Sequence, residues 1–440
     1  MSDIQNKIKE VDVLILGAGI SGLAAAYVLK KKAKHLRIAV LEARDRIGGR
    51  VWSVDLGKGL VGEYGAEWIG STHKHMRAFA KELHAPLEVH RYVDTGHITK
   101  KLHPDNDAYE AVEKKIKTLL RGLDRTTSKL KRADHFSWND FLRREGFSRS
   151  ELVIANDIYS AEYGANIDHV TALLPIMEYV EDGRNMAMDF HVKGGNTKLM
   201  DALAKKIGKQ NIFLEHEVIK ILQDKNGVDV LCRNDMRFHA KKIIMTLPMP
   251  LLARVHFTPA LPIRYKKLVK SLEYGNITKV MLVFPKRFWE KEDFSQLSGG
   301  LDQYVYHATQ SQKGKSGALC IYATGARADK LARMNMAAVW RELKKELSPS
   351  VDTKNISPLS MTRHFWKKDK FARGAYAFYA PMQGDVVRKT FGKPFRHVYF
   401  SGEYLGEHQG FMEGAAETGI YAAKEVASML SIKKQIRKKD

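Results

Sequence analysis

The residues of this 440-residue chain best placed to do chemistry stand near its start. Gly17, Ala18, Gly19, Ile20, Ser21 and Gly22 follow an apolar β-rich run, Val11 to Leu16, and open an Ala/Leu-rich helical segment, Ile20 to Lys32. Glycines at this spacing between a strand and a helix suit a pyrophosphate. Gly17 permits the tight turn, Gly19 lets the backbone approach the phosphates, Gly22 lets helix and strand pack closely, and the helix N-terminus adds positive potential. Glu42, at the end of a second alternating run from Arg37 to Leu41, is placed to accept hydrogen bonds from a ribose hydroxyl, and an acidic residue there disfavours a 2′-phosphate. The pattern predicts a βαβ dinucleotide unit and leaves NAD and FAD both open.

The next stretch separates them. Arg44, Asp45, Arg46, Ile47, Gly48, Gly49, Arg50 resembles the RxGGR extension of the amine oxidase family of flavoproteins. Further landmarks follow in the family's order: Gly65 to Gly70, Lys193 to Asn196, Thr246 to Pro248, Tyr399 to Glu403, and Gly410 to Ala415. The resemblance covers nearly the whole chain. It implies an α/β fold with a Rossmann-like FAD-binding domain interleaved with a mixed-sheet and helical substrate-binding domain. Its cofactor contacts carry over to Gly17, Gly19, Ile20, Ser21, Gly22, Glu42, Ala43, Arg44, Gly49, Arg50, Gly65, Ala66, Glu67, Trp68, Val218, Trp366, Gly402, Glu403, Phe411 and Met412. Arg50 can neutralise a pyrophosphate oxygen through a charge-assisted hydrogen bond. Glu403 is expected near the ribityl-phosphate chain, and a helix starting near Met412 is expected to aim its N-terminus at the flavin's pyrimidine edge. Arg44 and Arg46 also have a plainer reading as solvated side chains.

Trp366 with Gly374, Ala375 and Tyr376 resembles the monoamine oxidase segment whose cysteine bonds covalently to the flavin. Alanine at that position forms no thioether, so FAD is expected to be noncovalent. The two tyrosines that flank the amine in monoamine oxidases fall on Tyr376 and Phe411 here. Lys279, in a strand-like run ending at Phe284, resembles the family lysine that holds a water near flavin N5. The resemblance therefore implies oxidative deamination of primary amines: hydride passes to the flavin, the imine hydrolyses to aldehyde and ammonia, and oxygen becomes hydrogen peroxide. Tyr376, Phe411 and Lys279 are its expected catalytic residues.

The substrate is less sharply defined. L-amino acid oxidases resemble this chain but place a carboxylate-clamping arginine soon after the second glycine motif, and Gly65 to Gly70 contains none. Arg184 or Arg373 remains open for that role. Polyamines call for acidic residues along the tunnel, and Glu67, Glu162 and Glu178 are candidates. No GxSxG or HExxH points to hydrolysis, and His73 and His75 read as surface residues.

These motifs need a large scaffold, and 440 residues with 44% hydrophobic content can bury more than one core. The order of patterns predicts FAD-binding segments at 1–80, 191–254 and 386–440, and substrate-binding segments at 81–190 and 255–385. Residues 72–190 turn helical, with Val112, Ile116, Leu119, Leu120 and Leu123 at helix spacing. Strand signals return at Ile212 to Leu222, Val228 to Cys232 and Ile243 to Leu247, then at Val398 to Ser401 before a helix from Met412 to Leu430. Val13 to Leu29 is free of charge but too short to span a bilayer, and Lys30, Lys31 and Lys32 stand where a leader's small residues belong. It reads as folded interior, with no transmembrane anchor.

Two cysteines, Cys232 and Cys320, give no disulfide framework and no metal-ligand spacing. A cytoplasmic setting is expected, and a homodimer is left open. The formal charge of +23 attracts anionic partners nonspecifically. Lys114 to Arg132 and Lys433 to Lys439 would carry a competing function in nucleic-acid or membrane binding. No recognised nucleic-acid module accompanies them, so no specific nucleic-acid partner is expected.

Overall fold

The structure, a computed structural model, describes residues 8–91, 106–123, 132–181, 188–289, 291–297, 300–301, 303–347 and 351–436. Strand β1 (Lys9–Leu16), helix α1 (Ile20–Lys32) and strand β2 (Ile38–Leu41) form the expected βαβ unit, β1 and β2 pairing in parallel with Leu14 opposite Ala39. The last six residues of β1 and all of β2 are buried, as continuous apolar runs in a covered parallel sheet should be. Val13 to Leu29 therefore lies inside a folded unit, and among the described residues no helix is long and apolar enough to cross a membrane.

α1 lies against the closing helix Met412–Ile436. Small residues allow the approach: a Cβ on Gly419 would fall 2.2 Å from the Ser21 carbonyl oxygen. The two helices and β1 thus hold the glycine turn from both ends of the chain.

The sheet around β1 has eight strands in the order His256–Thr258, Val218–Gln223, Val228–Cys232, Arg237–Met245, β1, β2, Ile212–Phe213, with Val398–Phe400 also pairing to Arg237–Met245. Arg237–Met245 pairs antiparallel with Val228–Cys232 through its first half, parallel with Val398–Phe400 through its second, and parallel with β1 along its other edge. This is the expected meander returning to the first unit. The run expected as one strand from Ile212 to Leu222 is broken in the middle. Glu215 turns left-handed (φ 59°), and the N–H groups of Glu215 and His216 donate to the carbonyls of Arg44 and Glu42. The break stitches the loop after β2 in place, which the apolar pattern does not reveal.

Helices at Lys74–Glu82, Asn106–Arg121, Trp138–Arg144, Arg149–Tyr163 and Leu173–Glu181 fill the expected helical region. A capping box of Ser148 and Glu151 starts Arg149–Tyr163, and Gly164 (φ 69°) ends it. Val112, Ile116, Leu120 and Leu123 are buried, as their spacing predicts. The strand Leu87–Val89 interrupts the helices and pairs with Phe190–Val192. A second, antiparallel sheet runs Ser295–Leu297, Tyr304–His307, Gly317–Thr324, Ile277–Phe284, Ser360–Phe365.

Candidate active site

One cavity gathers residues from most of the motifs of the chain, the Lys193 to Asn196 segment being off its lining. Gly19, Ile20 and Ser21 line it at the glycine turn, and Arg50, Gly65, Ala66, Glu67 and Trp68 line it from the segments that follow. Lys279 comes from the second sheet, Trp366 and Tyr376 from the segment after it, and Gly402, Glu403, Phe411 and Met412 from the chain's end. Gly17, Gly22, Glu42, Ala43, Arg44, Gly49 and Val218 are not among its lining residues.

Several of these supporting residues have defined structural work. Gly17 takes φ +107°, and a Cβ on Gly22 would sit 1.9 Å from the Gly17 carbonyl oxygen, so this contact requires glycine. Glu42 accepts the N–H groups of Ala18 and Arg44, both at 2.9 Å, tying the two cofactor loops together. Each carboxylate oxygen keeps a further lone pair for a hydroxyl. The solvated reading of Arg44 and Arg46 is corrected: Arg44 forks onto Asp369 at 2.5 and 3.1 Å, and Arg46 lies 4.4 Å over the Trp52 ring. The Arg44 partner comes from 325 positions away, invisible to local charge patterning, whereas Arg46 is held within its own loop by Trp52 and by the carbonyls of Ile47 and Gly49.

His73 and His75 also differ from expectation. His73 is fully buried and accepts the Gly70 N–H at 2.9 Å, while the His75 ring meets Glu413 at 2.7 Å. The helix Lys74–Glu82 packs on the closing helix; His73 is turned inward, while His75 stays 31% exposed with its ring on Glu413.

The cavity can receive a dinucleotide. A Cβ built on Gly19 meets no protein atom nearer than 3.9 Å, so the backbone is bare toward that space. The Arg50 guanidinium faces the cavity, paired at 2.6 Å with Glu403, which also accepts the N–H groups of Ala377 and Tyr404. That anchorage and the arginine hold the Glu403 carboxyl below its usual range despite burial, which by itself raises it.

At the other end, Lys279 is 3% exposed. Its ammonium donates to the carbonyls of Glu63 and Gly65, both at 3.0 Å, and to Glu67 at 2.7 Å. All three N–H donors thus have protein acceptors, an arrangement fuller than a lysine holding a water. Glu67 also accepts from Tyr306 and meets His90 at 2.7 Å. Burial raises the Glu67 carboxyl, but Lys279 and His90 outweigh it and bring it down to about 2.

Four residues away, Glu63 goes the opposite way. Burial pushes its carboxyl up to about 8, with repulsion from Glu67 adding, although Asn196 and Ser53 donate to it. Its folded pKa exceeds its ordinary value, so its contribution to stability is complete below about pH 4.5 and is lost as pH rises through about 8. Across that window this group should cost the wild type about 1.4 kcal/mol per pH unit. Chemical denaturation of Glu63→Gln at several pH values should give a flatter curve than wild type there; parallel curves would refute the assignment.

Tyr376 and Phe411 both line the cavity, and Tyr376 packs over Gly410, where a Cβ would come within 2.8 Å of its ring. Burial and hydrogen bonding with Tyr322 keep the Tyr376 hydroxyl protonated. Tyr64, Tyr304 and Tyr322 join the lining, as does Glu162. The three tyrosines escaped sequence reading, although the alternation Tyr304, Val305, Tyr306 marks one face of a strand. Glu178 is taken by the Tyr163 hydroxyl at 2.6 Å and is off the lining; Arg373 is exposed and also off it. Arg184, residues 124–131 of the basic stretch and the end of the tail from 437 lie outside the described residues. No metal-binding cluster occurs among the described residues.

A glycine-turned βαβ unit sharing a cavity with a buried lysine and an aromatic wall defines a nucleotide-cofactor oxidoreductase. The family model of flavin containing amine oxidoreductases matches residues 20–427, and the chain belongs to that family. Flavin-containing amine oxidase B of Homo sapiens is 26% identical, covering 94% of this chain and 86% of its own. Wild-type putrescine oxidase bound to putrescine superposes with a TM-score of 0.83 at 22% identity, over 96% of this chain and 100% of its own. Cyclohexylamine oxidase from Brevibacterium oxydans gives 0.83 at 22% identity, over 96% and 99%. The α/β amine oxidase fold is thereby shown, and the protein is a flavin-dependent amine oxidase with FAD as cofactor.

Proposed function

We propose that this enzyme oxidises primary amines that lack an α-carboxylate, with oxygen as electron acceptor. The observation that carries the reading is the common cavity, in which Lys279, Tyr376 and Phe411 share walls with the Gly19 to Ser21 turn. Bound there, FAD supplies the hydride acceptor for the carbon next to the amine nitrogen. Arg50 and the N-terminus of α1 would hold its phosphates, and Glu403 fixes Arg50. The helix from Met412 presents its N-terminal turn to the cavity, where it stabilises negative charge. Tyr376 and Phe411 orient the amine between aromatic faces, whose quadrupoles attract the nitrogen. Apolar walls exclude water until the imine leaves to hydrolyse.

The carboxylate-lacking class is favoured because none of the described cavity residues offers a second arginine beside Arg50. A diamine is a second reading, favoured by Glu162 on the lining, close enough to raise the hydroxyls of Tyr322 and Tyr376. The division into FAD-binding and substrate-binding segments belongs to the same proposal, although His256–Thr258, just past one expected boundary, joins the first sheet.

The test is anaerobic bleaching of the flavin by tyramine, phenylethylamine, putrescine, spermidine and L-amino acids, followed by readmission of air. Arylalkylamines should bleach it, and air should restore it with hydrogen peroxide. Bleaching only by L-amino acids would refute the substrate class, and bleaching only by putrescine or spermidine would replace the arylalkylamine expectation with the diamine reading. Acid precipitation of the same sample should leave the flavin in solution, because Ala375 lines the cavity where a bonding cysteine would stand; a yellow pellet would refute noncovalent binding.

A further inference from the structure

The mechanism leaves one buried group without a role. Glu67 lines the cavity, yet its side chain is fully buried against protein partners. One oxygen takes the Lys279 ammonium at 2.7 Å and the Tyr306 hydroxyl, and the other meets His90 Nε2 at 2.7 Å. The His90 ring stacks on His191 at 4.3 Å, and His191 in turn contacts Glu88 at 3.1 Å. This assembly has the shape of a counter-ion held in place from behind.

We infer that Glu67 is the positioning residue that keeps Lys279 a cation at the floor of the cavity throughout the working pH range. The inference rests on the oxidase reading for its catalytic meaning, because a fixed cation beside the cofactor favours electron transfer to oxygen by stabilising the negative charge that oxygen acquires. The charge balance around Lys279 singles out Glu67. Facing the ammonium are Tyr306 from the strand Tyr304–His307, Cys320 and Tyr322 from Gly317–Thr324, and His364 opposite it in register on Ser360–Phe365. Burial holds the two tyrosines and the thiol protonated, and His364 is turned to Asp369 at 3.4 Å. Glu63 offers its backbone carbonyl, while its carboxyl points to Ser53 and Asn196 and is pushed up to about 8. That leaves Glu67 as the ionised carboxylate in contact with the ammonium. Without it, desolvation dominates, and a buried lysine deprotonates well below its ordinary value.

Glu67→Gln keeps the shape and one acceptor oxygen for Lys279 and Tyr306, turns the other position into a donor, and removes the charge. Two measurements on the holoenzyme test it. In the first, the flavin is photoreduced without any amine, and its reoxidation by air is followed from about pH 6 to about pH 9. The wild-type rate should be flat, and the variant rate should approach it at the acid end and fall about tenfold or more toward the alkaline end as Lys279 loses its proton. Glu67→Asp should restore the flat profile.

The second measurement is stability against pH by denaturant unfolding. In the variant the folded lysine binds fewer protons than the unfolded one, so stability should rise with pH relative to wild type across the same window. A purely structural role for Glu67 would lower rate and stability by the same factor at every pH, and pH profiles parallel to wild type in both measurements would overturn the inference. If wild-type reduced flavin fails to react with oxygen, the oxidase reading fails, while the stability curves still decide whether Glu67 sets the charge of Lys279.

Discussion

Gly22→Ala is expected to yield a protein that no longer retains flavin. The added Cβ would lie 1.9 Å from the Gly17 carbonyl oxygen and 3.1 Å from its carbon, a collision of backbone with side chain that no rotamer relieves. Gly17 is itself confined by Thr246, whose hydroxyl oxygen would stand 2.6 Å from a Cβ there. The turn must therefore open, moving the Ala18 N–H from Glu42 and the α1 N-terminus from the phosphate position. Overpacking of this kind costs about 1–3 kcal/mol, and a comparable loss in binding weakens flavin affinity by about 5- to 150-fold. Flavin-to-protein absorbance after desalting, with reconstitution of the apoprotein, measures it. Gly19→Ala is the informative companion. Its Cβ meets no protein atom within 3.9 Å, so apoprotein stability should stay near wild type while flavin affinity falls. Full affinity in Gly19→Ala would show that the cofactor does not cross that residue.

Arg50→Met should be the more damaging of the charge removals. The guanidinium is 23% exposed where it faces the cavity, and its partner Glu403 is 5% exposed. Breaking a buried pair by deleting one member costs about 3–5 kcal/mol, because the remaining charge is left in a poor solvent. The N–H groups of Ala377 and Tyr404 still reach Glu403, which places the expected loss at the lower end of that range. The phosphate site loses its cation as well, so flavin affinity should fall with stability. Adding Glu403→Gln should recover most of the stability and none of the affinity. Urea unfolding and flavin titration of the single and double variants separate the two effects, and recovery of affinity in the double variant would refute a direct role of Arg50 at the phosphates.

The histidines show where local reading stops. His73 and His75 follow Ser71 and Thr72 in a polar stretch, and nothing within it indicates burial. Their partners, Gly70 and Glu413, include a residue 338 positions away from His75. Arg44 with Asp369, Arg50 with Glu403 and Glu67 with Lys279 are likewise joined across more than 200 positions, and each pairing changes what its members can do. Charge type is a local property of the chain, whereas charge partnership belongs to the packed molecule.

The sequence by itself determined the βαβ unit, because covered parallel strands demand unbroken apolar runs and a close helix–strand turn demands glycine at fixed positions. It also determined the family, since the motifs of that unit and of the chain's end occur in order over nearly the whole length. Tertiary structure alone decided that Lys279 has three protein acceptors, that Glu67 faces it as counter-ion, and that Glu63, four residues away, carries a carboxyl of opposite tendency. The reason is electrostatic: burial penalises every charge, and which carboxyl stays ionised depends on the cation that three-dimensional packing sets beside it.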